Sequence, residues 1–138
     1  MKLTSKSEYA LLAMVYLARQ PAETYVRVET IAEEQGIPPK FLEQILLVLK
    51  RGRYLSSLKG HNGGYRLALP PDQITLADVL RLLDGALAPT DSVSKLYYRA
   101  TPIEREPALV EVFTQVRDCM LDILEHTTIA DMLRNDPA

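Results

Sequence analysis

A chain of 138 residues is the size of one domain, or of one domain with a long accessory element. Its residues are 47% apolar and 25% charged, ordinary for a soluble globular protein, and no run of about 18 apolar residues exists to cross a membrane. The net charge of −2 hides an asymmetry: ten of the 16 Lys and Arg, but only six of the 18 Asp and Glu, precede position 67, which suits a first half that meets a polyanion.

In chain order, Thr4 or Ser5 caps a helix running to about Gln20. Its apolar residues lie almost all round, so more than one side is buried. Pro21 breaks it. Residues 25–28 are β-leaning, and a short helix follows from Glu29 to Gln35, with Gly36 at its C-terminal stop. Pro38 and Pro39 open the next helix, which runs to Arg51. Leu42, Ile45, Leu46 and Leu49 make its core stripe, and Lys40, Glu43, Gln44, Leu47, Lys50 and Arg51 face outward. Two helices joined by a glycine-bearing turn, the second polar outside, make a helix-turn-helix.

Residues 55–59 and 65–69 read as strands around the glycine-rich tip at 60–64, a hairpin. Thr75 and Asp78 resemble a capping box for a helix ending near Leu83, with Gly85 beyond. Residues 86–107 form a linker with three prolines, in which 93–99 suit one or two helical turns. A long helix starts at about Pro107 and carries Leu109, Val112, Phe113, Val116, Met120, Ile123 and Leu124 at helical spacing. It continues to Leu133, with a break near Thr127 and Thr128. Such a rod, roughly 30–38 Å long, cannot bury its stripe on a small domain, and a second copy of the chain is its natural partner.

The fold class is therefore mainly α with a small hairpin wing: a winged helix-turn-helix at 1–85, a linker and candidate effector region at 86–107, and a dimerisation helix with C-terminal tail at 108–138. Three features point to double-stranded DNA. The outward face of the 39–51 helix is polar, basic and short enough for a major groove. The hairpin tip offers Lys59, His61 and Asn62 to a minor groove or a phosphate. The start of the first helix, with Ser5 and Lys6, has free N–H groups for a phosphate. Catalytic constellations are missing: His61 and His126 stand beside no nucleophile, and the glycine-rich tip lies between two strands, unlike a phosphate loop. The expected reading is no enzyme. The N-terminus shows no secretory hydrophobic block, so the cytoplasm is the expected compartment.

Residues 1–10, 37–46 and 59–67, with 74–80 and 123–133, resemble the Rrf-type family of bacterial winged-helix transcription regulators. The Phe41-Leu42-Glu43-Gln44 and Gly60-His61-Asn62-Gly63-Gly64-Tyr65 motifs carry most of the resemblance. It implies a homodimer joined through the long helix, bound to palindromic promoter sites, usually as a repressor. It also implies that Lys40, Glu43 and Gln44 face base edges, with Lys59, His61 and Asn62 in the wing contacts; Lys50, at the end of the same outward stripe, is expected on the DNA backbone. A glutamate accepts from a cytosine amino group and a glutamine pairs with adenine.

The chain departs from the iron–sulfur members, which carry three linker cysteines. It has a single cysteine, Cys119, and none between Asp84 and Pro107. One cysteine excludes an internal disulfide and a cysteine-only metal cage within one chain. The expectation is no [2Fe–2S] cluster and no other cofactor, with Cys119 a small buried residue and Glu8 a solvated charge. A small-molecule effector or a regulatory protein partner would then supply the signal. Tyr97, Tyr98 and Arg99 form the candidate effector site, two aromatics and a guanidinium suited to an anionic or planar ligand, or else pack the linker on the partner. Two other readings stay open: a metal- or redox-responsive sensor using ligands from both subunits, and a winged helix that docks a protein.

Overall fold

The computed structural model describes residues 1–135. Helix α1 (Ser5–Ala18) is capped by Thr4, whose hydroxyl accepts from the Ser7 N–H while the Ser7 hydroxyl accepts from the Thr4 N–H. Its Ala10, Ala13, Met14 and Leu17 are buried, and the two alanines let its neighbours approach closely. Helix α2 (Val28–Gln35) ends at Gly36, whose φ of 66° is the left-handed stop that glycine takes without a Cβ penalty. Helix α3 (Pro39–Arg51) buries Leu42, Ile45, Leu46 and Leu49, the full stripe expected from the spacing. Tyr9 of α1 meets Phe41 of α3 edge to face at 5.6 Å, which sets α3 against the first helix.

Strands β1 (Leu55–Leu58) and β2 (Gly64–Leu67) pair antiparallel, with Leu55 opposite Leu67 and Leu58 opposite Gly64. Both are shorter than the sequence reading. The second starts one residue early, because Gly64 itself joins the ladder. Val26 adds a bridge to Tyr65 with two 2.8 Å hydrogen bonds, so the β-leaning segment before α2 fastens the wing to the body. Helix α4 (Leu76–Asp84) carries the full Thr75–Asp78 capping box. Its Val79 enters the main core, and its Ala77 and Leu80 form a second cluster with Leu87 and Leu121.

The linker has 3-10 turns at Asp91–Val93 and Pro102–Arg105 instead of helical turns at 93–99. Ser94 is extended, and its hydroxyl takes the Tyr97 N–H, which stops a helix there. Helix α5 (Pro107–His126) ends where Thr127 and Thr128 turn extended. The rod is therefore about 30 Å long and does not reach Leu133. Thr128 caps α6 (Ile129–Met132), which folds back onto the winged helix. The Ile129 N–H donates to the Ile74 carbonyl at 2.9 Å, and the Ile129 side chain, 0% exposed, lies in the main core. A residue near the end of the chain thus completes the core of the first 85.

Cys119 is exposed, contrary to the buried position expected for it. The reason lies in α5, where Leu121 is the one buried residue. Leu109, Val112, Val116 and Ile123 are exposed along the same helix, Ile123 to 64%. No helix among the described residues is long and apolar enough to cross a membrane.

Candidate nucleic-acid interface

Helix α3 presents Lys40, Glu43, Gln44, Leu47, Lys50 and Arg51, all exposed, opposite its four buried leucine and isoleucine side chains. No acid lies in its first turn, while Lys50 and Arg51 occupy its last. The helix therefore offers neutral and basic groups at both ends, with the single carboxylate of Glu43 between them.

The wing stands beside it. Burial pushes the Tyr65 phenol above its ordinary 10.0, and the Glu43 carboxylate of α3 adds to the shift. Gly64 allows the wing to approach the segment before α2: a Cβ there would stand 2.2 Å from the Val26 carbonyl oxygen. Lys59, His61 and Asn62 are exposed at the tip. His61 and Asn62 border an open cleft of about 380 Å³ that Tyr25 and Arg27 also line. Arg27 is a cation that the sequence reading passed over, and its closeness to the tip arises from the Val26–Tyr65 bridge. Arg66 is committed elsewhere. It pairs with Glu23 at 3.0 Å and lies over the Tyr25 ring at 4.4 Å.

At the start of α1, Ser5 is exposed and Lys6 half-buried. The Thr4 hydroxyl also donates to Asp84 at 2.7 Å, so a carboxylate already stands near this helix end and opposes a phosphate there.

Tyr97, Tyr98 and Arg99 are exposed in the linker. Tyr97 lines a cavity of about 10 Å³ with Leu87 and Leu121. The Tyr98 hydroxyl donates to Glu104 at 2.6 Å, and the Arg99 N–H donates to the Asp91 carbonyl at 3.2 Å. Arg117 of α5 donates to the Val93 carbonyl at 3.0 Å, which ties the linker to the long helix. The larger concavity, about 610 Å³, lies behind the wing between the end of α1 and β2. His126 is exposed, its ring nitrogen 2.7 Å from the Asp122 carbonyl.

A helix-turn-helix with an exposed polar second helix and a glycine-tipped wing defines a DNA-binding, winged-helix transcriptional regulator. Residues 3–135 match the family Rrf2, described as iron-dependent transcriptional regulators, and the chain belongs to that family. It is 42% identical over 133 residues to a putative HTH-type transcriptional regulator, Rv1287, of Mycobacterium tuberculosis, covering 96% of this chain and 81% of that one. CymR of Bacillus subtilis is 30% identical over 132 residues, 96% of this chain and 89% of CymR. The solved structure of CymR, titled the global cysteine regulator, covers 99% of both chains at 28% identity with a TM-score of 0.85. A solved IscR from T. potens has a TM-score of 0.77 at 30% identity, covering 98% and 88%. The family and these relatives are transcriptional regulators, not enzymes.

The donor set does not fit a thiolate-held iron–sulfur cluster. The one thiol of the chain, Cys119, sits on α5 beside Val116 and Ile123 in sequence spacing, and the linker supplies none. Among the described residues, no three His, Cys, Asp or Glu side chains gather as a metal site.

Proposed function

We propose that the protein is a homodimeric, sequence-specific DNA-binding regulator that represses promoters carrying palindromic sites, without a [2Fe–2S] cluster. The observation that carries this reading is the two-sidedness of α3: four apolar side chains fully buried on one side, and an unbroken exposed stripe on the other, with the wing alongside. Lys40, Glu43 and Gln44 meet base edges in the major groove, and Lys50 neutralises a phosphate. Lys59, His61 and Asn62 carry the wing contact, and Ser5 and Lys6 meet the backbone at the edge of the site, where the Lys6 charge has to outweigh the Asp84 carboxylate near that helix end. The exposed stripe of α5, Leu109, Val112, Val116 and Ile123, is covered by the same stripe of a second copy. Two recognition helices then face half-sites about 34–36 Å apart. The protein works where the chromosome is, in the cytoplasm.

The deciding measurement compares a selected operator with a scrambled duplex at physiological salt. A preference of at least about a thousandfold supports the reading. Equal binding sinks it and favours a winged helix that docks a protein. In the absence of a cluster, a small molecule or a protein partner supplies the signal, and the linker with Tyr97, Tyr98 and Arg99 is where it acts. The family's description favours a second reading, an iron-responsive sensor with ligands from both subunits. A native mass spectrum of anaerobically purified protein separates the two: a bare dimer supports the first, and a dimer with the added mass of iron supports the second.

A further inference from the structure

The outward stripe of α3 holds one side chain that does not belong on a face meeting only polar groups. Leu47 is 41% exposed, the one large apolar residue of α3 on the surface, and it packs in neither core cluster. It stands three residues after Gln44 and four after Glu43, on the same face, about 4.5–6 Å further along the helix axis. That offset matches one to two base-pair steps of 3.4 Å. In a major groove, G, C and A are told apart by hydrogen-bond donors and acceptors; thymine alone adds a C5-methyl group. An isobutyl group pressed on N7, O6 or an amino group strips its water and returns no hydrogen bond. Pressed on a methyl, it removes two apolar surfaces from water.

We propose that Leu47 is a specificity-determining residue that reads the C5-methyl of a thymine one or two base pairs from the bases met by Glu43 and Gln44. This rests on the reading above that α3 enters the major groove of a specific operator. The half-site then combines a cytosine for Glu43, an adenine for Gln44 and a thymine for Leu47 within a few base pairs. Leu47 adds selectivity for thymine without adding a hydrogen bond, and it penalises G·C at its own position.

The test uses the full-length protein and an operator selected from random duplexes. Each thymine of one half-site is replaced in turn by deoxyuridine, which removes the methyl and changes nothing else. Wild-type protein is expected to lose about fourfold in affinity at one thymine, the worth of one buried methyl. The Leu47→Ala variant should bind thymine and deoxyuridine there within twofold. Leu47→Met, which keeps an apolar reach, should retain the preference. If every deoxyuridine is silent for the wild type, or if Leu47→Ala loses the same factor at the same position, the proposal is overturned. If no duplex is enriched at all, it is the DNA-binding reading that fails, and the assignment of Leu47 falls with it.

Discussion

Single residues of the interface separate into those that hold its shape and those that meet DNA. Gly64 is of the first kind, since its φ of 142° and the nearby Val26 carbonyl both exclude a side chain. Gly64→Ala should cost more than about 2 kcal/mol, because backbone strain and overpacking add there. Gly60 has a φ of 105° but open space around it, so Gly60→Ala should cost only about 1 kcal/mol. Urea denaturation of the two variants measures the difference. In the function proposed above, Glu43 and Lys50 are of the second kind. Glu43→Ala should relax or change the preferred base at one position of a selected site. Lys50→Ala should weaken all duplexes alike and lower the slope of log affinity against log salt by about 1. The outward placement of Glu43, Gln44 and Lys50 is legible in the sequence, since a 3.6-residue period with four strong apolar positions leaves one choice of inner face. The closeness of Arg27 to the wing tip is not, because it depends on a bridge between residues 39 apart in the chain.

Among the elements, α6 shows how a short segment contributes beyond its length. Four residues cannot form a stable helix alone, and this one is held by its Thr128–Asp131 cap and by Ile129 in the core. The Thr128 N–H holds the Asp131 carboxyl below the usual carboxylate range. Ile129→Ala should destabilise the winged helix by about 2–5 kcal/mol, and Thr128→Ala by about 1 kcal/mol, both read from the denaturation midpoint at unchanged slope. The break near Thr127 and Thr128 is visible in the sequence as two β-branched residues before Asp131. The return of the chain onto Ile74 is not, because a four-residue segment has no period to show which surface it meets. The linker is similar: its prolines announce irregular backbone, but the Ser94–Tyr97 and Tyr98–Glu104 hydrogen bonds decide where its turns fall.

At the scale of the molecule, two faces are left open. The α3 and wing face is polar and basic, and the α5 face is apolar. An exposed stripe of Leu109, Val112, Val116 and Ile123, with Val112 53% exposed, is left uncovered by the described residues. Val112→Glu with Val116→Glu should give a folded monomer by sedimentation, with unchanged helical circular dichroism. It should also lose operator affinity, because the two half-sites are no longer bound together. The pH dependence of folding follows from the tyrosines. Burial raises the phenols of Tyr16, Tyr54 and Tyr65 above 10.0. A raised folded pKa means stability fully present below pH about 10 and lost as pH rises through the folded values, since the unfolded chain releases its protons first. Thermal melts between pH 8 and 11 should therefore show a decline that begins only above about 10, and Tyr65→Phe should reduce it.

Local chemistry alone determined the helix-turn-helix, the wing, the outward stripe of α3, the cap at Thr75 and the absence of linker thiols, and it narrowed the first cap to Thr4 or Ser5. Each rests on periodicity, capping or composition, which act over a few residues and are written in their order. The tertiary structure decided that Cys119 lies on the exposed side of α5 instead of in a core, and that Ile129 closes the fold. It also decided that Asp84 sits at the start of α1, 80 residues from Thr4. These depend on contacts between distant segments, and the energy of such a contact comes from surfaces that meet only after the chain has folded.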